Sequence, residues 1–394
     1  MQSLDDFAAG KLRALDRDNL HRVLAETERL DGVWVERQDA EGRRRLISFC
    51  CNDYLNLSQH PAIKAAAIAA IERYGVGSGA SRLVTGNHPL FGQLEARLAC
   101  LKGSATACVF GSGYLANSGI IPALVDREDL VLIDELSHAC LWTGARLSRA
   151  TVRPFRHGDA VEVEALLNTH RKRHPRALIA TDGVFSMDGD LAPLPQLSAL
   201  AARYDAWLMT DDAHGLGVIG GGRGSSFAFG APVEVPLQMG TLSKAIGGYG
   251  GYLCASDGVI DLIHNRARTF IYATGLPPAM VAAAIAALDL IEREPGYAAL
   301  PLSKARSFTR LAGLPEAQSP IVPLIIGEAD AALAASRQLE AEGFLVTAIR
   351  PPTVPAGTAR LRFTFTAAHP DTEIERLAAL VRKVLARHLE SVAP

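Results

Sequence analysis

The chain has 394 residues, 48% of them hydrophobic and 21% charged, which is typical of a globular protein and excludes a disordered or fibrous one. At about 150 residues per domain, this length predicts two or three domains. The 40 basic residues nearly balance the 42 acidic residues, and the formal net charge is −2. That balance excludes the basic surface expected of a protein that binds nucleic acid or an acidic membrane.

The cysteines and the N-terminus indicate the cellular compartment. The six cysteines include no CxxC pair and no metal-finger spacing, so they are interpreted as small buried side chains in a reducing compartment. The first residues, MQSLDDFAAG, carry Asp5 and Asp6 instead of the apolar run of a signal peptide. No apolar stretch approaches the length of about 20 residues that a membrane span needs. A soluble, cytoplasmic protein is therefore expected.

Most of the chain alternates between two patterns. Residues 4–30 resemble a charged amphipathic helix, and two short strands, VWVE and LISFC, follow. From about residue 60, predicted helices alternate with Val-, Ile- and Leu-rich strands such as TACVF, LVLIDE, ALIATD and WLMTDD. This alternation predicts an α/β fold with a large, mostly parallel sheet that is covered on both faces. Because ligands bind such sheets at the carboxyl ends of the strands, candidate site residues are expected there.

The pattern changes in the last third of the chain. The segment PPAMVAAAIAALDLIERE predicts one long helix, and beyond residue 300 the order is strand, helix, strand, strand, helix, which is typical of a small α+β unit. We therefore predict three regions. An N-terminal arm of helix and strands covers residues 1–45, a large α/β domain covers residues 46–280, and a small C-terminal α+β domain covers residues 281–394, beginning with the linking helix.

Two motifs have a functional and an ordinary interpretation, and the ordinary one is favoured. Gly215, Gly217 and Gly220 match the GxGxxG fingerprint of dinucleotide-binding proteins, but GGRGSS follows and cannot begin the helix that would receive a pyrophosphate. A nicotinamide-dependent oxidoreductase is therefore disfavoured, and a loop around an active site is predicted. His170 and His174 have the spacing of two metal ligands on a helix, but the basic residues between them favour a solvated helix end. No metal is expected.

Three predicted strand ends carry polar residues. The segment 110–114 (FGSGY) lies between a strand and a helix, where glycines and free N–H groups can bind a phosphate, although a turn without a ligand has the same pattern. Asp211 and His214 follow the strand WLMT, and Asp182 and Ser186 follow the strand ALIAT. Each of these side chains could contact a ligand or only solvent.

Lys244 is the most unusual of the candidates, because it follows Thr241 and Ser243 and precedes a glycine-rich segment. Lysine is normally exposed, but a desolvated lysine can have a lowered pKa and form a Schiff base. The phosphate-binding turn, the carboxylate, the histidine and the lysine all fall at the ends of successive strands. Together they match pyridoxal 5′-phosphate, which has a phosphate, a ring nitrogen that needs an anion and an aldehyde that needs an amine.

Eight segments resemble the α-oxoamine synthases, a family of fold-type-I pyridoxal-phosphate enzymes. They are CCNDYLNLSQHP, GVGSGASRLVTGNHPLFGQLE, FGSGYLAN, DELSHAC, DGVFSMDGDLAPL, DDAHGLGVIGGGRG, GTLSKAIGGYGG and AIRPPTVPAGTARLR. The resemblance spans nearly the whole chain and implies the large and small domains of that fold. Asn56 departs from it, because the family usually has glycine there, but asparagine also tolerates the left-handed backbone of a turn.

The resemblance implies a role for each matching residue. Lys244 would form the Schiff base with the cofactor and act as general base, Asp211 would pair with the ring nitrogen, and His214 would contact the 3′ oxygen. His138, in DELSHAC, would stack on the ring, and it joins Lys244 and Asp211 as a catalytic residue. The other cofactor contacts would come from the backbone of Gly113 and Tyr114 and the hydroxyls of Ser186 and Thr241.

The resemblance also implies substrates. Contacts to them are implied for Arg22, Asn52, His138, Thr353 and Arg362, with Arg362 orienting the amino-acid carboxylate. The implied reaction is a decarboxylative condensation of L-alanine with pimeloyl-CoA or its carrier-protein counterpart, in biotin biosynthesis, by a homodimer. Glycine with acetyl-CoA or succinyl-CoA, and serine with palmitoyl-CoA, stay open, because one methyl group changes binding by only about 1–3 kcal/mol. The presence of Lys244 disfavours a non-catalytic subunit of the same fold.

Overall fold

The computed structural model describes residues 2–17, 20–39 and 42–392. Within these ranges the helices are α1 (Leu4–Arg17), α2 (Pro61–Tyr74), α3 (Pro89–Lys102), α4 (Gly113–Leu124), α5 (Ala139–Ser148), α6 (Ala160–His170), α7 (Leu194–Arg203), α8 (Asp257–Arg266), α9 (Arg268–Ile271), α10 (Pro278–Arg293), α11 (Pro295–Ala312), α12 (Ala329–Ala341) and α13 (Asp371–Val392). The strands are β1 (Thr27–Asp31), β2 (Trp34–Asp39), β3 (Gly42–Ser48), β4 (Thr106–Phe110), β5 (Leu130–Asp134), β6 (Thr151–Phe155), β7 (Ala177–Asp182), β8 (Trp207–Asp211), β9 (Leu237–Thr241), β10 (Gly251–Ala255), β11 (Ile321–Gly327), β12 (Phe344–Leu345), β13 (Thr347–Ile349) and β14 (Ala359–Thr364). Among these described helices, none combines the length and the apolar character that crossing a membrane would require.

The chain divides into two compact units. Unit 1 comprises Met1–Cys51, Lys304–Ala317 and Ile321–Pro394, and unit 2 comprises Asn52–Ser303 and Gln318–Pro320. These boundaries differ from the predicted ones after residues 45 and 280. The N-terminal strands belong with the C-terminal segment because β3 pairs with β12, and α10 belongs to unit 2 because it packs against α2 and α3.

Unit 2 is built on a seven-stranded sheet in the order β4-β10-β9-β8-β7-β5-β6. Six strands run in one direction, and β10 pairs antiparallel with both of its neighbours. Alternate residues of β5 face different apolar clusters: Val131 and Ile133 pack with α4 and α5, whereas Leu130 and Leu132 pack with α6 and α7. Helices therefore cover both faces, and the predicted α/β fold class with a mostly parallel sheet is confirmed.

Unit 1 contains two smaller sheets, β1-β2-β3-β12 and β11-β14-β13. Its core is aromatic. The ring of Phe365 lies 5.0 Å from that of Phe308 and 5.5 Å from that of Phe49. The imidazole of His369 is stacked on Phe49 at 3.9 Å and is fully buried. Unit 1 thus combines helices and mostly antiparallel strands around a core of its own.

The prediction for the N-terminal segment is wrong in part. The helix α1 ends at Arg17, and residues 27–30, predicted to be helical, belong to strand β1. The sequence of β1, TERLD, lacks the alternating apolar residues by which a strand is recognised, because four of its five residues are exposed. The strand is specified by main-chain pairing with β2 at the edge of its sheet.

Candidate active site

A cavity of about 220 Å³ lies in unit 2, at the carboxyl ends of the parallel strands. The eight residues predicted to contact the cofactor all line it: Gly113, Tyr114, His138, Ser186, Asp211, His214, Thr241 and Lys244. They lie at the end of, or just after, five different strands, β4, β5, β7, β8 and β9. The sheet brings them together because the carboxyl ends of parallel strands meet at one edge.

Lys244 lies three residues beyond β9, and its Nζ is 2.9 Å from Nε2 of His214. On the other side of that imidazole, Nδ1 is 2.6 Å from the hydroxyl oxygen of Tyr54, which is fully buried. The Tyr54 hydroxyl is also 3.4 Å from Oδ1 of Asn52. A hydrogen-bonded series therefore connects Asn52, a predicted substrate residue, to the Lys244 amine.

Asp211 is the last residue of β8, and its carboxylate is buried. Oδ2 accepts a hydrogen bond of 2.6 Å from Nδ2 of Asn117, and Oδ1 accepts one of 3.0 Å from the backbone N–H of Ala213. Such donors stabilise an ionised carboxylate. The pKa of Asp182, at the end of β7, is raised by burial first and by the negative charge of Asp211 second. Of these two carboxylates, Asp211 therefore has the better hydrogen-bond support for a negative charge.

His138 caps the N-terminus of α5. Its Nδ1 accepts the backbone N–H of Cys140 at 3.3 Å, and the same nitrogen is 2.7 Å from Sγ of Cys140. Burial lowers the pKa of His138; the charge of Asp211 acts in the opposite direction and the charge of Lys244 in the same direction. The ring is therefore neutral at pH 7.

The first turn of α4 brings backbone N–H groups to the cavity. Ser112 caps this helix, and its hydroxyl accepts a backbone N–H of the first turn at 3.2 Å. A Cβ at Gly113 would lie 3.3 Å from the side chain of Thr241, so glycine allows the helix to begin close to the end of β9. The Thr241 hydroxyl is 2.8 Å from that of Ser243. Hydroxyls beside a helix N-terminus form a site suited to a phosphate.

The predicted substrate residues are divided between the two units. Asn52 and His138 belong to unit 2, and Arg22, Thr353 and Arg362 belong to unit 1. Arg22 donates a hydrogen bond of 3.4 Å to the Thr353 hydroxyl, so the fold joins two predicted residues that are 331 positions apart. Arg362 lies in the central strand of its sheet, β14, and is buried.

The GxGxxG segment surrounds a buried ion pair. In the described residues that follow its third glycine, the first helical element is a short 3-10 turn at Ser225–Phe227, and the next α-helix begins only at Asp257. A Cβ at Gly215 or Gly224 would lie 2.0 Å or 1.7 Å from the Asp212 carboxylate, which pairs with Nζ of Lys102 at 2.6 Å. These two glycines are therefore required for packing. Asn56, the departure from the family pattern, has the left-handed backbone (φ 54°) of a turn.

Three buried polar residues near the cavity were not among the predicted residues: Tyr54, Asn117 and Cys140. Each lies within a segment that carries the family resemblance, which is the only signal the sequence offers for it. Their partners are distant along the chain. The hydrogen bonds from Tyr54 to His214 and from Asn117 to Asp211 span 160 and 94 positions, so only the fold reveals them.

The sequence is similar to proteins of known activity over almost its full length. A profile of the family described as aminotransferase class I and II matches residues 44–381. The chain is 62% identical over 385 residues to the 8-amino-7-oxononanoate synthase of Beijerinckia indica, covering 98% of this chain and 99% of that protein. It is 68% identical over 344 residues to the 8-amino-7-oxononanoate synthase of Methylocella silvestris, covering 87% and 98%.

Solved structures with the same fold are also similar. A serine palmitoyltransferase from S. paucimobilis with bound PLP and myriocin has a TM-score of 0.87 and 26% identity, covering 97% of this chain and 98% of that one. An 8-amino-7-oxononanoate synthase from Francisella tularensis has a TM-score of 0.75 and 26% identity, covering 87% and 99%.

Proposed function

Since the chain belongs to the class I and II aminotransferase family and, within it, to the 8-amino-7-oxononanoate synthases, we propose that it condenses L-alanine with a pimeloyl thioester. The thiol and carbon dioxide leave, and 8-amino-7-oxononanoate is formed for biotin synthesis. The enzyme is a pyridoxal-phosphate-dependent acyltransferase. The observation that carries the proposal is the cavity in which Lys244, His214 and Asp211 meet in a chain so similar to these synthases.

The groups that line the cavity fit pyridoxal phosphate. The cavity offers the amine of Lys244 and the carboxylate of Asp211, which accepts hydrogen bonds from N–H groups. It also offers hydroxyl and N–H groups at the start of α4. The cofactor, when bound, withdraws electrons from the α-carbon of the amino acid. Gly113, Tyr114, Ser186 and Thr241 are assigned to hold its oxygen atoms.

Proton transfer is assigned to Lys244. A general base must lie within hydrogen-bond reach of the proton it removes and must afterwards release that proton. His214 lies 2.9 Å from the Lys244 amine and can accept or donate a hydrogen bond at Nε2. We therefore assign the removal of the α-proton to Lys244, with His214 and Tyr54 holding its amine in place.

Asp211 is assigned to the nitrogen of the cofactor ring, and His138 is assigned to the face of the ring. A carboxylate beside a ring nitrogen raises the affinity of that nitrogen for a proton, and Asp211 supplies it. His138 is neutral because burial lowers its pKa. We propose that His138 stacks on the ring face, where a neutral imidazole would add no positive charge.

The relatives' names favour alanine and a pimeloyl thioester over glycine or serine with other acyl groups. Arg362 is assigned to the carboxylate of alanine, because a guanidinium can bind both of its oxygens. Arg22, Asn52, His138 and Thr353 are assigned to the substrates as well. Orientation of the carboxylate decides which bond at the α-carbon is broken, so Arg362 acts on the choice of reaction.

Product analysis tests this assignment. Purified enzyme is offered L-alanine, glycine or L-serine with pimeloyl, acetyl, succinyl or palmitoyl thioesters, and products are identified by mass spectrometry. We expect 8-amino-7-oxononanoate from alanine with pimeloyl thioester, at a kcat/KM at least about tenfold above any other pair. Higher kcat/KM with another pair would overturn the substrate assignment. Pimeloyl groups on CoA and on carrier protein are compared in parallel.

We further propose that the enzyme is a cytoplasmic homodimer. All six cysteines are free thiols, which suits a reducing compartment. Val76, Leu83 and Val84 are 78%, 56% and 74% exposed in one segment of unit 2, and a second copy would cover them. Light scattering should give about twice the 41.9 kDa mass of the chain; a monomer, or enzyme recovered with membranes on fractionation, would contradict the proposal.

A further inference from the structure

Asn117 and Cys140 are buried beside the proposed active site and have no assigned role. Asn117 lies in α4 with no exposed surface, and Cys140 lies in the first turn of α5. A side-chain amide is costly to bury unless its groups are hydrogen-bonded. The hydrogen-bond partners of Asn117 and Cys140 therefore indicate the roles of these two side chains.

The amide of Asn117 is directed at Asp211. Nδ2 donates to Oδ2 of Asp211 at 2.6 Å and to Sγ of Cys140 at 3.0 Å, which uses both of its hydrogens. The reversed amide would place its oxygen against a carboxylate, so this orientation is fixed. Within the described residues, Oδ1 of Asn117 has no hydrogen-bond partner. The described hydrogen bonds of this amide are therefore those of its nitrogen, to Asp211 and Cys140.

Cys140 connects Asn117 to His138 by hydrogen bonds. The thiol has one hydrogen and two acceptors, Nδ1 of His138 at 2.7 Å and Oδ2 of Asp211 at 3.8 Å. The much shorter distance assigns that hydrogen to His138. Burial, and then the charge of Asp211, raises the pKa of the Cys140 thiol, so the sulfur keeps its proton and can donate it. Because Nδ1 of His138 accepts hydrogen bonds, the proton of the neutral ring lies on Nε2.

Backbone packing fixes this arrangement. A Cβ at Gly144 would lie 2.4 Å from the backbone oxygen of Asn117, so only glycine lets α5 approach α4 this closely. The approach places the N-terminus of α5, with His138 and Cys140, beside Asn117.

We propose that Asn117 and Cys140 are positioning residues for the condensation: Asn117 holds the Asp211 carboxylate for the ring nitrogen of the cofactor, and the Cys140 thiol, together with the backbone N–H of the same residue, keeps the proton of His138 on Nε2. This rests on the proposed function, because it requires Asp211 to serve that nitrogen. Neither residue is assigned a contact with the reacting atoms.

Cofactor affinity tests the role of Asn117. Full-length protein is loaded with pyridoxal phosphate or with an analogue that has carbon in place of the ring nitrogen, and Kd is measured for both. We expect Asn117→Ala to weaken binding of the natural cofactor about tenfold, and binding of the analogue less than about threefold. The pH midpoint of the visible absorption of the bound cofactor should also shift. Should Asn117→Ala fail to fold, Asn117→Leu, which has a similar shape and no N–H to donate, is measured in the same way.

Ser118→Ala is the matched control, because Ser118 is the next residue of α4, is buried, and has no described partner for its hydroxyl. It should change neither Kd. Equal weakening for the two cofactors in the Asn117 variants would show a merely structural role and overturn the proposal. Asp211→Ala must itself abolish the preference for the natural cofactor; if it does not, the proposed role of Asp211 fails, and the role of Asn117 fails with it. If Asp211→Ala loses the preference and the Asn117 variants keep it, only the role of Asn117 fails.

Steady-state kinetics test the role of Cys140. Cys140→Ser keeps a hydrogen-bond donor and should retain most of kcat, whereas Cys140→Ala should lower kcat about tenfold with KM for L-alanine nearly unchanged. Cys108→Ala, which removes a buried thiol of β4, should keep kcat. Equal activity of Cys140→Ser and Cys140→Ala would overturn the assignment of Cys140.

Discussion

The amine of Lys244 is held by a group that can either give or take a proton. Nε2 of His214 lies 2.9 Å away, and the other ring nitrogen meets the Tyr54 hydroxyl at 2.6 Å. A phenol can likewise donate or accept. Reversal of both hydrogen bonds therefore lets the imidazole face a neutral or a charged lysine without moving. A base that is charged and discharged once in each turnover benefits from such neighbours.

Replacement of Lys244 by alanine should remove the general base of the reaction. We expect Lys244→Ala to lower kcat by at least about 10²–10⁴-fold, the range of general acid–base catalysis, and to remove the visible absorption of the lysine-bound cofactor. Lys64→Ala, at an exposed lysine of α2, should keep both properties. Turnover near the wild-type rate in Lys244→Ala would show that another group is the base.

A second prediction concerns Arg362 and the use of L-alanine. Loss of a bidentate, charge-assisted contact should lower kcat/KM for L-alanine about 10–100-fold in Arg362→Ala. Arg362→Lys should recover only part of the loss, because lysine cannot bind both oxygens in a fork. Arg310→Ala, at an exposed arginine of α11, is the control. An unchanged dependence of rate on alanine concentration would remove Arg362 from the site.

At the residue scale, the sequence predicted the side chains that follow strands better than the side chains that support them. Asp211 and Lys244 are recognisable because they lie at, or just beyond, the carboxyl ends of apolar strands, where parallel sheets bind their ligands. The pairing of Lys102 with Asp212 joins residues 110 positions apart, and neither residue alone predicts a buried ion pair. Supporting contacts depend on tertiary packing, which a single sequence does not contain.

At the scale of elements, the close approach of α4 and α5 determines where His138 and Cys140 lie. Gly144→Ala would place a methyl group 2.4 Å from the backbone oxygen of Asn117 and 3.0 Å from Ile121. We expect a destabilisation of about 1–3 kcal/mol, measured as a lower urea midpoint, together with weaker cofactor binding because α5 must move.

Gly258→Ala is the matched control for this prediction. Gly258 also lies in a helix, α8, but a Cβ there would have nothing within 4 Å. Alanine is the better helix former, so Gly258→Ala should leave the midpoint unchanged or raise stability by up to about 1 kcal/mol. If Gly144→Ala is as stable as the wild type, helix packing does not depend on that glycine.

The elements that the sequence predicted are those with regular apolar patterns. Strands β5 and β7 are buried throughout and β8 is buried after its first residue, and the structure has all three. Two elements contain proline and were not predicted: β6, with Pro154 at the edge of the sheet, and α11, with Pro301 inside the helix. Proline is tolerated in an edge strand because its missing N–H can face away from the ladder. Position in the sheet, which the sequence does not state, decides such cases.

At the scale of the whole molecule, each unit contains a histidine that links its stability to pH. In unit 1, burial lowers the pKa of His369 to about 3, although its hydrogen bond to the carbonyl of Ser48 acts against this. An unfolded histidine titrates near pH 6.5. The stability that neutral His369 contributes is therefore present above pH 6.5 and is lost as the pH falls towards 3.

His157 in unit 2 has the opposite dependence. Burial alone would lower its pKa, but hydrogen bonds to Asp134 and Asp190, together with their charges, raise it to about 10. Its Nδ1 and Nε2 lie 3.2 Å and 2.8 Å from these carboxylates, and it thereby ties the end of β5 to the loop that carries Ser186. Its contribution is complete below pH 6.5 and is lost as the pH rises through 10.

Urea midpoints between pH 4 and pH 10 test both histidines in one series, with each variant as the control for the other. Stability should fall on both sides of neutrality, by up to about 1.4 kcal/mol per pH unit for a single group. His369→Gln should weaken the fall of the urea midpoint below neutral pH (the acid limb) and should not change its fall above neutral pH (the alkaline limb). His157→Gln should weaken the alkaline limb and should not change the acid limb. The side chain of His157 is 25% exposed, so its limb should be shallower than that of the buried His369. An acid limb that stays as steep in His369→Gln would mean that protonation of other groups, and not of this buried imidazole, sets the stability of the molecule in acid.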